Sequence, residues 1–353
     1  MNVLANAAVV DLFCGAGGLT HGFVEEGFNV KVGIDVDETC RFAYEYNNGA
    51  KFVDEDVFSL TPDELRSAFG NAAIKIMVGC APCQPFSSYN NGDRKKDDKW
   101  KLLYRFAELI LAIRPDVFSM ENVPELRRFE HGKVLEDFVN KLSSIYKIKD
   151  YDVYCPDYGI PQQRTRLVLF GSLYGEISLP SPTCTPQNYK TVRDTIGSLP
   201  PLNAGEICPS DPLHRAANLS KTNLERIRQS KPGGTWRDWD YELRAKCHKK
   251  GSGKTYSGVY GRMSWDQPSP TMTTLCYGYG NGRFGHPEQD RAISLREAAL
   301  FQTFPLNYVF VKPGTPYRRK ILGRQIGNAV PVKLGKVIAE SIHAHLNNVF
   351  FIT

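Results

Sequence analysis

The sequence has no uninterrupted apolar run approaching the roughly 18–20 residues that a membrane-spanning helix requires. Its first ten residues also lack the charged start and the cleavage pattern of a signal peptide. We therefore expect a cytoplasmic protein with no membrane role. Internal repeats and low-complexity runs are absent from the sequence as well.

The sequence also lacks the cysteine spacing of a disulfide framework. Its nine cysteines are scattered, and in a long chain without an export signal they are expected to be free thiols. Cys80 and Cys83 have Cys-x-x-Cys spacing, but no second pair or His cluster supplies the further ligands that zinc needs. A redox motif of the thioredoxin type would open a helix rather than precede Gln84-Pro85-Phe86. We expect no metal, and a metal or redox role remains the less favoured alternative.

Positive charge is concentrated in the second half of the chain. The net charge is +6 overall, but it is −6 for residues 1–180, +5 for residues 181–290 and +7 for residues 291–353. This distribution favours a polyanionic partner bound mainly by the C-terminal half, although a solvated basic surface would give the same pattern.

The first part of the chain has the rhythm of a βαβ fold. Short β-branched runs at 9–13, 30–36, 74–79 and 117–120 predict strands. Apolar residues at helical spacing predict a crossover helix between the last two strands: Leu102, Phe106, Leu109, Ile110 and Ile113. A parallel, doubly wound α/β sheet follows, and such sheets bind ligands at the carboxyl ends of their strands.

The rest of the chain divides into three parts on composition. Residues 147–154 and 167–173 predict two more strands, which close a first domain at 1–177. Residues 178–285 are rich in Pro, Gly, Ser and Thr and predict an irregular second domain, with short strands at best, at 178–184 and 278–284. Helices predicted at 294–301 and 332–346 belong to a C-terminal segment, 286–353.

A glycine-rich turn follows the first predicted strand. Cys14-Gly15-Ala16-Gly17-Gly18 leads into a helix, so a ligand can approach the backbone and meet unpaired N–H groups at the helix start. A tight turn without a ligand explains the same residues. Asp35 ends the second predicted strand, where a carboxylate can accept hydrogen bonds from ribose hydroxyls, and Asp56 follows at the end of a further, third strand that we expect before the one at 74–79. Together these groups suggest an adenosine-containing ligand, although each carboxylate alone fits a helix cap or a solvated charge.

A second loop at the same edge of the sheet carries a candidate nucleophile. Cys83 follows a buried strand in a loop stiffened by two prolines, and a thiolate is a good attacking group that elimination regenerates. Glu121 ends the neighbouring strand, where a carboxyl group can protonate or hydrogen-bond a ring nitrogen. Of Arg164 and Arg166, one is expected to orient the base or Glu121 and the other to meet phosphate. An exposed glutamate and two surface arginines are the alternative.

Six motifs in order resemble the bacterial DNA (cytosine-5-)-methyltransferases of restriction–modification type and span residues 11 to 331. They are Asp11-Leu12-Phe13-Cys14-Gly15-Ala16-Gly17-Gly18, Pro82-Cys83-Gln84-Pro85-Phe86-Ser87, Glu121-Asn122-Val123, Gln163-Arg164-Thr165-Arg166, Arg296-Glu297-Ala298 and Gly327-Asn328-Ala329-Val330-Pro331. The resemblance implies a Rossmann-like S-adenosylmethionine-dependent methyltransferase fold in which 1–177 is the catalytic and cofactor-binding domain, 178–285 is a smaller, irregular target recognition domain, and 286–353 packs back onto the catalytic domain.

The resemblance also implies S-adenosylmethionine as methyl donor, with S-adenosylhomocysteine as product. Phe13 would stack on the adenine, Asp35 would hold the ribose and Asp56 would meet the adenine edge. Asp35 stands where the family often has the longer glutamate. The implied pocket comprises Phe13, Gly15, Ala16, Gly17, Gly18, Asp35, Val36, Asp56, Val57, Pro82, Leu102, Asn328 and Val330.

For the reaction, the resemblance implies that Cys83 attacks carbon 6 of a flipped-out cytosine, Glu121 stabilises the ring at nitrogen 3, and carbon 5 takes the methyl group. The catalytic set is Cys83, Glu121, Arg164 and Arg166. The partner would be double-stranded DNA, bound by a monomer, with a restriction endonuclease as functional companion. We expect the loop at 87–99 to close over the DNA.

Three other functions stay open from the sequence. An RNA cytosine methyltransferase would keep every catalytic motif, and a silent DNA-binding protein would keep the fold; a redox or zinc protein is the third. The recognised bases do not follow from the sequence, and Trp236 and Trp239 in the recognition region fit either a core or a DNA surface.

Overall fold

A computed structural model describes residues 3–82, 100–251, 253 and 256–350. Its helices and strands, in chain order, are β1 (Ala7–Leu12), α1 (Gly18–Glu25), β2 (Val30–Asp35), α2 (Arg41–Asn48), β3 (Lys51–Asp54), α3 (Pro62–Phe69), β4 (Ile74–Gly79), α4 (Lys101–Ile113), β5 (Val117–Asn122), α5 (Lys133–Leu142), β6 (Lys147–Tyr154), β7 (Gln162–Gln163), β8 (Thr165–Ser172), α6 (Val192–Ile196), β9 (Ile207–Cys208), β10 (Asp211–Arg215), α7 (Lys221–Gln229), β11 (Ser269–Pro270), α8 (Leu295–Phe301), α9 (Arg319–Asn328) and α10 (Val332–Phe350).

The described residues form a seven-stranded sheet in the order β3-β2-β1-β4-β5-β8-β6. The first five strands in that order are parallel, as the βαβ rhythm predicted. The last two differ, because β8 runs antiparallel to β5 and β6 antiparallel to β8. The predicted α/β class is confirmed, with a mixed rather than wholly parallel sheet.

Apolar side chains cover both faces of the sheet. Along β1, Ala7 and Val9 join one buried cluster, whereas Ala8, Val10 and Leu12 join the other, as expected for a strand whose side chains alternate between faces. All five apolar residues of the predicted crossover helix are buried in α4. The sheet is therefore a rigid platform whose strand ends can hold functional groups in place.

The C-terminal helix α10 packs against α1, at the start of the chain. The contact is close because Gly22 has no side chain: a Cβ there would lie 2.3 Å from the backbone nitrogen of Lys336. The larger buried cluster accordingly includes residues from Val3 to Leu346. Residues from the two ends of the chain share one core.

Two strands that the sequence predicted within residues 178–285 are wrong. Residues 178–184 do not form a strand, because Pro180 and Pro182 lack the N–H groups that a ladder needs. Residues 278–284 form a short helical turn at Tyr279–Asn281 rather than a strand, in a run of glycines that disfavours extended pairing. The region also contains α6 and α7, two helices that its composition did not predict.

Trp236 and Trp239 are core residues. Each is 2% exposed, and they pack with Ile227, Tyr279 and Ala292 in a small cluster separate from the main core. The Trp239 indole N–H donates to Ser230 Oγ at 2.8 Å, and the Trp236 indole N–H donates to the Tyr256 carbonyl at 2.9 Å. The two indoles therefore stabilise the packing of this part of the chain.

A buried ionic cluster supports the start of α8. Arg291 donates to both carboxylate oxygens of Glu297 at 2.8 Å, and Glu297 accepts from the backbone N–H of Ser294 at 2.6 Å. Burial alone would raise the pKa of Glu297, but the charge of Arg291 outweighs it and holds that pKa at about 2. His286 lies 3.9 Å from the same carboxylate, and burial lowers its imidazole pKa to about 4.

The His286 shift predicts acid-sensitive folding. Because the pKa is near 6.5 in the unfolded chain and about 4 in the folded one, the unfolded chain binds the extra proton first, so stability falls as pH drops from about 6.5 towards 4. We expect this group alone to cost about 2 kcal/mol between pH 8 and pH 5. Urea unfolding of the wild type and of His286→Asn, which keeps an acceptor for the Gln289 N–H, measures the difference. Equal pH slopes in the two proteins would contradict it.

None of the helices in the described part of the chain is long and apolar enough to cross a membrane. None of the eight cysteines that the structure describes forms a disulfide, as predicted.

Candidate active site

Four strands end together at one edge of the sheet and carry the candidate residues. The ends of β1, β2, β4 and β5 lie side by side because these strands are parallel and adjacent. Phe13 follows β1, Asp35 ends β2, Cys80 follows β4 and Glu121 lies near the end of β5. The carboxyl ends of parallel strands are the usual place for a ligand in such a sheet.

The glycine-rich turn has an open side and a crowded side. A Cβ at Gly15 would meet nothing within 4 Å, so the backbone there is accessible to a ligand. At Gly18, a Cβ would lie 2.2 Å from the Val330 carbonyl oxygen. Gly17 has a φ of 92° and precedes α1, a conformation that favours glycine. The turn thus packs on the C-terminal segment with one side and faces outward with the other.

Asp35 holds this turn in place. Its Oδ2 accepts a hydrogen bond from the Gly15 N–H at 2.9 Å, and its Oδ1 accepts from the Asp37 N–H at 2.8 Å. Burial raises the pKa of the carboxyl group, and these two hydrogen bonds oppose the shift. Since each carboxylate oxygen has a further lone pair, Asp35 can still accept hydrogen bonds from a ligand.

An apolar and acidic surface continues beside Asp35. Val36 is 68% exposed and Phe58 is 45% exposed, so both side chains offer apolar surface to a ligand. Asp56, two residues before Phe58, is also exposed. Its Oδ1 accepts a hydrogen bond from the Phe58 N–H at 2.9 Å. Phe13 is half-buried with its ring edge-on to Phe106. A flat apolar ligand with polar edges fits these groups.

The remaining pocket candidates differ in exposure. Leu102 and Val57 are buried in the core beneath the site, and Val330 is buried under Gly18. Ala16 is buried, Pro82 is half-buried and Asn328 is exposed at the end of α9. The structure therefore brings the glycine-rich turn together with the segment around Val330, although most of the chain separates them.

Asp11 is a buried carboxyl group to which the sequence reading gave no role. It lies on β1 beneath the glycine-rich turn, and its Oδ2 accepts from the Thr20 hydroxyl at 2.6 Å. Burial raises the pKa of Asp11 to about 7, against the effect of this hydrogen bond. A lone carboxylate inside the otherwise apolar run Ala7–Leu12 is the signal that would have revealed it.

Glu121 is buried with a different partner at each carboxylate oxygen. Its side chain is 2% exposed, Oε1 lies 3.0 Å from Arg166 Nε, and Oε2 accepts from the Cys80 thiol at 2.7 Å. The neighbouring Asn122 donates from Nδ2 to the Ala81 carbonyl at 3.1 Å. Asn122 thereby fixes the backbone at Ala81, two residues before Cys83 in the sequence.

Comparison with known proteins identifies the family of this chain. Residues 7–344 match the family model for C-5 cytosine-specific DNA methylases. The chain belongs to this family. It is 55% identical over 340 residues to the type II methylase M.HgiDII of Herpetosiphon aurantiacus, covering 96% of each chain, and 32% identical over 341 residues to the type II methyltransferase M1.HphI of Haemophilus parahaemolyticus, covering 94% of this chain and 86% of that one.

Solved structures have the same fold as this C-5 cytosine-specific DNA methylase. A prophage-encoded protein of E. coli superimposes with a TM-score of 0.75 at 24% identity, over 97% of this chain and 99% of that one. The S. pombe Dnmt2 methyltransferase gives 0.65 at 16% identity, over 98% and 99%. The predicted methyltransferase fold is confirmed, and cytosine methylation at carbon 5 in DNA is the activity of the family to which the chain belongs.

The two arginines of the methylase have different surroundings. Arg166 is partly exposed and contacts Glu121, whereas Arg164 is 5% exposed. Arg164 Nη1 donates to Gln302 Oε1 at 3.3 Å, and Gln302 Nε2 donates to the Ala329 carbonyl at 3.0 Å. Arg164 therefore lies inside the protein and contacts the C-terminal segment, and the catalytic assignment of both arginines stays a prediction.

Cys83 of the methylase and the loop at 87–99 lie outside the described residues. Within the described ranges, no group of three or more His, Cys, Asp or Glu side chains is placed to hold a metal ion.

Proposed function

We propose that the protein transfers a methyl group from S-adenosylmethionine to carbon 5 of a cytosine within a specific sequence of duplex DNA. The observation that carries the proposal is the alignment, at one sheet edge, of an outward-facing glycine-rich turn with a buried Glu121–Arg166 pair. Family membership supports the reaction, and the type II relatives support a role in restriction–modification beside a restriction endonuclease. We also propose that the protein is a monomer, because one chain carries all the residues proposed for the site and can act on one DNA strand at a time.

The residues at the site fit S-adenosylmethionine. The open backbone at Gly15 admits a close approach, and Asp35 offers lone pairs to ribose hydroxyls. Val36 and Phe13 would cover the faces of the adenine, and Asp56 would accept from its amino group. The cofactor, when bound, supplies an electrophilic methyl group; the protein supplies its orientation towards the ends of β4 and β5.

The base chemistry would fall to Cys83, Glu121 and Arg166. The Cys83 thiolate would add to carbon 6 of the cytosine while Glu121 holds nitrogen 3, which makes carbon 5 nucleophilic. After methyl transfer, loss of the carbon 5 proton would expel Cys83. Arg166, close to Glu121 and partly exposed, would keep the carboxyl group in place and face the base. The cytosine must leave the helix first, at a cost of a few kcal/mol.

The proposed recognition region, residues 178–285, carries basic side chains above the buried cluster that contains Trp236 and Trp239. Trp236 is buried, and the exposed side chains around it include Tyr241, which is 60% exposed, with Lys249 Nζ 4.3 Å from its ring centroid. Cationic side chains of this kind bind phosphates or guanine edges. We propose that the segment around 231–250, together with Pro270-Thr271-Met272-Thr273, contacts the DNA target.

Mapping methylated cytosines tests the function. Mixed-sequence duplex DNA is incubated with the protein and S-adenosylmethionine and then sequenced after bisulfite treatment. Methylcytosine at one short sequence is the expected result. Methylation of RNA but not of duplex DNA would overturn the DNA assignment, and binding of DNA without methylation of either polymer would favour a silent binding protein.

The role of Asp35 gives a prediction for cofactor affinity. Asp35→Ala removes both the ribose acceptor and the groups that hold Gly15 and Asp37, so we expect S-adenosylmethionine and S-adenosylhomocysteine to bind about 10–100-fold more weakly. Isothermal titration calorimetry measures both affinities. Asp63→Ala, which removes a carboxylate from the surface of α3, is the matched control and should bind as the wild type does. Unchanged affinity in Asp35→Ala would refute the proposed pocket.

A further inference from the structure

The thiol of Cys80 lies directly beside Glu121 because of the register of two neighbouring strands. Gly79 on β4 pairs with Met120 on β5, so the residues that follow them stand side by side. The Cys80 N–H donates to the Leu12 carbonyl at 3.3 Å, which keeps its backbone aligned with the sheet beyond the end of β4. Cys80 Sγ is 2.7 Å from Glu121 Oε2.

We propose that Cys80 is a positioning residue for the methyl-transfer reaction, in which its thiol holds the Glu121 carboxyl group in the orientation that reaches the cytosine ring. The inference rests on the proposed role of Glu121. It gives Cys80 a task separate from that of the nucleophile three residues later in the sequence.

The carboxyl group needs a partner at each oxygen. Glu121 is buried, and a buried carboxylate oxygen without a donor is costly. Arg166 is 3.0 Å from Oε1 but forms no aligned hydrogen bond with it among the described residues, so the ion pair alone leaves the carboxylate plane free to turn. The contact from Cys80 to Oε2 is the second restraint that fixes this plane.

A thiol suits this position because of its two-way hydrogen bonding. It donates to a carboxylate, and its sulfur accepts weakly from a protonated carboxyl group. The contact therefore survives when Glu121 shares a proton with the ring nitrogen and when it takes that proton back. A lysine at the same place would hold only the ionised form, and it would add a second positive charge beside Arg166.

The test compares Cys80→Ala with Cys80→Ser in single-turnover methyl transfer at saturating DNA and S-adenosylmethionine. We expect Cys80→Ala to lower the rate about 10-fold, the value of one hydrogen bond to a charged group, and Cys80→Ser to restore most of it. The dissociation constants for DNA and cofactor should stay unchanged in both variants. The pH profile of the transfer step should move in Cys80→Ala but not in Cys80→Ser. Cys184→Ala removes another half-exposed thiol and serves as the matched control.

Three results would overturn the inference. They are a wild-type rate in Cys80→Ala, an equal loss in Cys80→Ser, and a loss that appears in the DNA dissociation constant with the pH profile unmoved. Cys80→Val, which keeps the bulk of the thiol without its donor, should match Cys80→Ala and serves in its place if the alanine variant unfolds. Absence of methyl transfer in the unsubstituted protein would instead refute the proposed function.

Discussion

Replacing Cys83 by serine is expected to lower methyl transfer by on the order of 10⁴-fold or more. A serine hydroxyl remains protonated near neutral pH and is a much weaker nucleophile than a thiolate, so addition to carbon 6 would stop. Without that addition, carbon 5 does not become nucleophilic. The measurement is incorporation of radioactive methyl groups into duplex DNA carrying the mapped target, under single-turnover conditions.

The control for Cys83→Ser is binding rather than rate. The variant should bind DNA and S-adenosylhomocysteine as tightly as the wild type, because only one atom changes. With S-adenosylmethionine present, DNA with 5-fluorocytosine at the target should give a covalent complex with the wild type and none with the variant. Elimination of Cys83 requires loss of a proton from carbon 5, and fluorine at that carbon cannot leave as a cation. Retained methyl transfer in Cys83→Ser would remove this cysteine from the mechanism.

The second large effect concerns folding. Arg291→Met leaves the Glu297 carboxylate buried without its bidentate partner, so we expect the free energy of unfolding to fall by about 3–5 kcal/mol. The double variant Arg291→Met, Glu297→Gln removes both charges and keeps an acceptor for the Ser294 N–H, so it should regain much of the loss. Urea denaturation at pH 7 gives the three values.

An exposed ion pair provides the comparison for the buried one. Arg193 pairs with Asp266 on the surface, with both side chains more than half exposed. Arg193→Met should therefore shift the urea midpoint little. A similar shift for Arg193→Met and Arg291→Met would show that burial does not control the strength of these pairs. A double variant no more stable than Arg291→Met would show that the lost packing, and not the unpaired charge, dominates.

Periodicity predicted the strands of the main sheet well. The prediction at 74–79 coincides with β4, and the prediction at 147–154 coincides with β6. β4 is a central strand whose apolar run reports directly on burial, whereas β6 stands at the end of the sheet order and has only Val153 buried. The direction of β6 and β8 was not predictable in this way, because the alternation of side chains is the same in parallel and antiparallel strands.

Long-range contacts limited the prediction of the site. The glycine-rich turn, Asp35 and Glu121 follow from strand ends and could be placed at one edge from the sequence. The burial of Arg164 against Gln302 could not, because it depends on how two distant segments pack. The partnership of Cys80 with Glu121 depends on the register of β4 and β5, which the sequence does not specify.

The contact between α1 and α10 affects how the chain folds during synthesis. At a translation rate of about 5–20 residues per second, roughly 15–60 s pass between the emergence of Gly18 and that of Val330. During this interval the apolar face of α1 has no covering helix, and the glycine-rich turn lacks the segment that closes it. An apolar surface that stays uncovered for this long is prone to aggregation, and the packing around the glycine-rich turn is complete only after Val330 has emerged.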